Sequence, residues 1–229
     1  MDCWYESMLL PETLSFLTDL DVHNDRTWFE ESRPRYEAAR ADFMVFADAL
    51  RQGLTPLVPQ LAEQATRDLL FRIYRDVRFS KNKAPYKPHF SAYFSRAGKK
   101  AVDAGYYLHI KPGQSHLSVG MWEPQGALMK AVRQEIDYSF DELQGLLQKP
   151  SFRKAFGELK GETLRTLPQG YTADNPAIGL LKHKSFLFSH PLPDTMLHQK
   201  DAVKKILALA REAAPVVAFF NRAMDDSPA

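Results

Sequence analysis

An α+β fold follows from three observations along the chain. Apolar residues recur at helical spacing before residue 62, alternate with polar ones through the middle, and return to helical spacing after Trp122. The expected architecture is an antiparallel β-meander of four to five strands packed against several helices. It is expected to form one domain over residues 1–229, helical over residues 1–62, a sheet over 68–123 and mainly helical again over 124–229.

Pro11 suits a first helical turn, and Leu14, Leu17 and Leu20 make a short apolar stripe behind it. A second helical pattern runs through Phe29, Tyr36, Phe43, Val45/Phe46 and Leu50. Asn24 is placed to cap it, and Asp25 complements its positive end. Pro34 interrupts the pattern and predicts a break or bend. "TPLVPQLAEQ" reads as a connector with a short helical turn. Four alternating runs follow: Leu69/Phe71/Ile73, Phe90/Ala92/Phe94, Tyr106/Leu108/Ile110 and Leu117/Val119/Met121. "KPGQS" between the last two is a hairpin turn by composition. Beyond Trp122, Pro124 suits a first turn, and Ala127, Leu128, Ala131, Val132 and Ile136 form a stripe expected to be buried. "SFDE" is a capping-box pattern from Ser139 to Glu142. Asn175-Pro176 begins another short helix, "SFLFSH" reads as a fifth strand, and residues 200–224 are helical with Pro215 restarting or bending the run.

Of the 229 residues, 45% are hydrophobic and 25% charged, an ordinary globular composition. The only cysteine, Cys3, rules out a disulfide within the chain and fits a reducing compartment. The acidic "MDCWYES" start is unlike a secretory signal, and no apolar run approaches membrane-spanning length. A cytoplasmic protein without membrane association is expected. There is no P-loop, GxGxxG, GxSxG, HExxH or CxxC pattern. No cofactor is implied, and His89, His109, His116, His183 and His190 lack a recognised metal-ligand spacing, so no metal is expected.

Charge is unevenly distributed. Residues 67–100 hold ten Lys/Arg against two acids, a balance of +8 in a chain whose total is +2, which leaves −6 elsewhere. The densest stretch is "RIYRDVRFSKNKAPYKPHF", with Arg72, Arg75, Arg78, Lys81, Lys83 and Lys87 opposed only by Asp76. Pro85 and Pro88 stiffen its second half, and Phe79 and Tyr86 are expected to anchor it on the core.

"IYRDVRFSKNKAPYK", with "NDRTWFEESRPRYEAAR" upstream and "LPQGYTADNPAIGLLKHKSF" downstream, resembles the domain of unknown function 2461 family of bacteria and fungi over roughly residues 10 to 222. Arg75, Asp76, Arg78, Phe79, Ser80, Lys81, Lys83, Pro85, Tyr86 and Lys87 fall on its central signature, and Asn24, Trp28 and Phe29 on its N-terminal pattern. The sequence departs from that pattern at "NDR" and at Pro34. The resemblance implies an intracellular α+β domain and brings no activity with it.

The residues themselves point to an anionic small molecule bearing phosphate or carboxylate. Arg72, Arg75, Arg78, Lys81, Lys83, Lys87 and His89 are the expected ligand-binding groups, since guanidinium offers a bidentate fork and ammonium a point charge. In an enzymatic reading on a small metabolite or nucleotide, Asp76 orients a guanidinium or acts as base, and Tyr86 or His109 handles a proton. Two other readings use the same residues: a noncatalytic module for nucleic acid or an acidic protein patch, with Tyr74, Tyr93, Tyr107 and Trp122 as stacking surfaces, and a structural ion-pair network with no ligand.

Overall fold

The computed structural model describes residues 7–99 and 102–225. Cys3 lies outside them. The chain divides into two compact units: one from residues 1–99, 107–117 and 191–208, the other from 100–106, 118–190 and 209–229. A single four-stranded antiparallel sheet has the order β1 (Phe90–Phe94), β2 (Gly105–Ile110), β3 (His116–Met121) and β4 (Phe186–Pro191). One face of its first three strands is apolar and buried: Phe90, Ala92 and Phe94, then Tyr106, Leu108 and Ile110, then Leu117, Val119 and Met121. The alternation seen in the sequence is therefore the pleat of this sheet.

In the first unit, α1 (Pro11–Val22) begins with proline in its first turn and buries Leu14, Phe16, Leu17 and Leu20. Each such side chain removed from water contributes about 1.5–3 kcal/mol. The short α2 (Arg26–Glu31) is capped by Asp25, whose Oδ1 accepts the Trp28 N–H at 3.0 Å. Asn24 does not cap it. Its amide instead donates to the Tyr86 carbonyl at 3.1 Å and accepts the Tyr86 N–H at 3.0 Å. The helical pattern breaks at Ser32 and resumes as α3 (Arg33–Leu54), with Pro34 in its first turn where no N–H is missed. Phe43 of α3 stacks on Phe90 of β1, with ring centroids 5.3 Å apart. Phe46 is wholly buried, whereas Val45 is 65% exposed. A 3₁₀ turn (Pro59–Ala62) and a four-residue helix α4 (Thr66–Leu69) lead to the basic segment.

The strand expected at 69–74 does not form. Only isolated bridges join Leu70 to Ala92 and Tyr74 to Tyr86, supported by the bonds Phe71 N–H to Ser91 O, Lys87 N–H to Ile73 O and Arg75 N–H to Pro85 O. The facing segment contains Pro85 and Pro88, which have no N–H, so a continuous ladder is unavailable. The sheet accordingly has four strands, and the run read as a fifth is β4. The β2–β3 turn closes with Gln114 N–H on Lys111 O, Gly113 taking a left-handed φ of 67°. The short helix α9 (Asp194–Leu197) meets that turn, the Gly113 N–H donating to Asp194 Oδ2 at 2.9 Å.

The second unit holds α5 (Gly126–Tyr138), α6 (Phe140–Gln148), α7 (Pro150–Phe156) and α8 (Ile178–Leu181). Pro124 precedes α5 instead of starting it, and the expected stripe is narrower: Val132 and Ile136 are buried, Leu128 and Ala131 half-buried, Ala127 exposed. Ser139 stands before α6 but forms no side-chain cap. It also ends α5, donating its N–H to Glu135 O, and this holds it at ψ 35°, outside the extended conformation a capping side chain needs. Asn175 behaves as expected, its Oδ1 accepting the Ala177 N–H ahead of α8. The long helix α10 (Ala202–Asp225) runs through Pro215 without interruption. In the second unit, Arg222 of α10 reaches Glu135 at 2.6 Å and Glu142 at 2.7 Å. No helix among the described residues is long and apolar enough to cross a membrane.

Candidate anion-binding site

The basic stretch is an ordered loop of the first unit, held from within. Asn24 grips the backbone of Tyr86, and the Tyr86 ring, 3% exposed, stacks on Phe29 with centroids 3.9 Å apart. Tyr86 thus anchors the loop as expected, and burial pushes its phenol pKa up. Phe79 does the reverse of its expected role: it is 95% exposed, with the Arg78 guanidinium 5.8 Å from its ring centroid.

The six cations have different employments. Arg78 is clasped by Asp76, which accepts from Nη2 at 2.7 Å, Nε at 3.0 Å and the Arg78 backbone N–H at 3.2 Å. These bonds hold the Asp76 carboxyl below its ordinary range, so it is a poor base. Arg75 donates to Ala84 O and Ser80 Oγ, and Lys83 donates to Val77 O, all within the loop. They staple the turn by reaching carbonyls and a hydroxyl that would otherwise need water. Arg72 and Lys81 are exposed and form no close ion pair among the described residues, although the Arg72 charge is felt at Asp76. Lys87 is half-buried, its ammonium 5.9 Å from the Phe71 ring centroid. Desolvation, then Arg72 and Arg75, lowers its pKa.

Beside the loop, the polar face of the sheet carries a row of imidazoles. His89 and His109 have ring centroids 4.3 Å apart, and His109 stacks on His116 at 4.7 Å. The Tyr107 hydroxyl shares a 3.2 Å hydrogen bond with His109 Nδ1. Burial, followed by His89, His116 and Lys111, pushes His109 down to about 3; burial, then Lys87, Lys111 and His116, takes His89 to about 4. Both are neutral at pH 7, able to accept or donate a hydrogen bond but not to carry charge. Among the described residues no group of three or more His, Cys, Asp or Glu is placed to hold a metal ion.

The other side of the segment at 70–74 forms one wall of a cleft of about 480 Å³, within the range of small-molecule sites. Its opposite wall is α3, which supplies Tyr36, Glu37 and Arg40. Arg67, Arg72 and Lys99 also line it, so four cations face one acid, with Phe43 and Phe90 at the cleft surface and Phe71 and Tyr74 beside them. Lys99 is tied to Leu70 O at 2.6 Å, and Arg67 lies 3.9 Å from Asp68.

A family profile described as "Conserved hypothetical protein (DUF2461)" matches residues 12–219, nearly the whole chain. The chain belongs to the DUF2461 family. Comparison with curated proteins and with solved structures returned no match. For this DUF2461 protein, then, the chemistry must be read from the site itself.

Of the residues singled out from the sequence, Arg72 lines the cleft, Lys87, His89 and His109 stand together on the sheet side, and Arg75, Asp76, Arg78 and Lys83 are engaged within the loop. Lys81 is exposed at the loop surface. Tyr36, Arg40, Arg67 and Lys99 were not singled out from the sequence as site residues. They come from α3, α4 and the turn after β1, and only tertiary packing gathers them around Arg72. Arg40 carried one legible signal: it lies four residues after Tyr36, one helical turn along the same face of α3.

Proposed function

We propose that this protein binds a phosphate- or carboxylate-bearing small molecule through the basic stretch 72–89, with the ligand's anionic group in the cleft walled by Arg72 and α3. One observation carries the reading: Arg40, Arg67, Arg72 and Lys99 share a cleft of about 480 Å³ with a single acid, Glu37. Cations gathered against their mutual repulsion lower their energy when an anion enters. The aromatic neighbours Tyr36, Phe71 and Tyr74 favour a ligand with a flat ring, as in a nucleotide.

Calorimetric titration with inorganic phosphate and with uridine monophosphate tests this. Saturable binding is expected, and Arg72→Ala and Arg40→Ala should each weaken it about tenfold, the equivalent of one charge-assisted contact. Arg78→Ala should leave it unchanged, because Arg78 is occupied by Asp76. Equal affinity in all three variants refutes the assignment.

A second reading is favoured by Phe79. An aromatic ring 95% exposed beside Arg78, in a loop with exposed Lys81, suits stacking on a base of single-stranded nucleic acid. It requires affinity that falls steeply with salt and is lost in Phe79→Ser.

A further inference from the structure

The "LPQGYTADNPAIGLLKHKSF" stretch contributes nothing to the site of the first unit. In the second unit, its residues Gln169, Gly170, Tyr171 and Lys184, with Glu162 and Leu164, face the start of α5 across a cleft of about 830 Å³. The α5 side supplies Glu123, Met129, Lys130 and Arg133. We infer that this cleft is a second receptor, for a small dianion of the phosphate monoester or dicarboxylate kind, gripped by Arg133 and Lys130.

The charges in the cleft do not cancel pairwise. Lys184 is taken by Glu162 at 2.7 Å. Arg133 and Lys130 have no carboxylate within ion-pair distance among the described residues, although Asp137 lies one turn further along α5. Asp137 accepts from Asn175 Nδ2 at 2.6 Å. Arg133 is also fixed in place: its Nε donates to Leu181 O at 2.9 Å, which leaves the terminal nitrogens of the fork for a ligand. Burial lowers its pKa, with the neighbouring Tyr171 phenol acting the other way. Lys130 lies three residues before Arg133, on the same helical face, and both line the cleft.

The rim is strained as well. Glu123 is the only non-glycine residue with positive φ among those described, at 38°, and its N–H is held by Ser185 Oγ at 3.1 Å. Such a conformation costs roughly 1–3 kcal/mol and persists where surrounding structure imposes it. It places an acid at the mouth of a cleft whose unpaired charges are positive. A ligand with a hydroxyl or amine donor beside its anionic group would satisfy both.

The test is an NMR titration of the full chain with inorganic phosphate and with succinate, read at the Gly126 and Gly170 amides. Saturable shifts with a dissociation constant below about 20 mM are expected for at least one probe. Lys130→Gln, at an exposed position, should weaken that binding about fivefold, and Arg133→Gln about tenfold or more. Arg72→Ala should leave these shifts intact while weakening any first-unit binding about tenfold, so the two sites succeed or fail separately. Linear, unsaturated shifts with both probes, or an unchanged constant in Lys130→Gln, overturn the inference even if Arg133→Gln does not fold.

Discussion

Replacing Asn24 by alanine removes both hydrogen bonds that pin the basic loop to the start of α2. The Asn24 amide meets the Tyr86 carbonyl at 3.1 Å and the Tyr86 N–H at 3.0 Å, and Tyr86 is only 3% exposed. Two such bonds contribute about 1 kcal/mol each, and an unsatisfied buried N–H costs about 1–3 kcal/mol. The bonds are part-buried, so water recovers some of the loss, and a net destabilisation of about 2–3 kcal/mol is expected. Urea unfolding followed by circular dichroism measures it, with an unchanged slope against denaturant showing that two-state behaviour is preserved. Asn24→Asp is a sharper probe of the same contact. Its carboxylate still accepts the Tyr86 N–H but has no donor for the carbonyl, and it should recover at most half the loss. A change below about 0.5 kcal/mol in Asn24→Ala, the scale of an ordinary surface substitution, would refute the clamp.

Gly120 stands at φ 118°, and a Cβ there would lie 2.0 Å from the Phe186 carbonyl oxygen. Gly120→Ala should therefore cost more than about 3 kcal/mol or leave the protein insoluble, as thermal unfolding and soluble yield would report. The imidazole row predicts acid sensitivity. His89 and His109 titrate near 4 and 3 in the fold against an ordinary value of 6.5, so between pH 6.5 and 4 the unfolded chain takes up protons that the folded chain refuses. Stability contributed by these neutral imidazoles is complete above pH 6.5 and lost as pH falls; His109→Gln should flatten the melting temperature over that window, and an unaltered profile would contradict the burial of the row. Arg78→Ala and Phe79→Ser should not shift the melting temperature, because both side chains are exposed. A clear drop in either would mean that the loop tip packs against something.

How much the sequence disclosed depended on the range of the interaction involved. Proline positions told where α1 begins and why α2 and α3 are separate, because a missing N–H and a fixed φ act on adjacent residues. The three alternating runs from Phe90 to Met121 became strands because their apolar residues share one face whatever they pack on. The run at 69–74 failed because its fate depended on its partner. Pro85 and Pro88 sit on the facing segment, and a single run carries no record of what its neighbour can donate. Asn24 shows the same limit: by local rules it caps a helix, but its best partner is 62 residues away.

The sequence alone determined that the protein is α+β, that positive charge concentrates between residues 67 and 100, and that two prolines stiffen the segment carrying it. Composition, period and backbone chemistry are properties of adjacent residues, and they survive in a string of letters. Only the tertiary structure decided that Asp76 occupies Arg78 and not Arg75, that Phe79 faces solvent, and that Arg40, Arg67 and Lys99 join Arg72 around one cleft. Electrostatic pairing and desolvation act through space over a few ångströms, and the order of residues along the chain does not encode which charges end up that close.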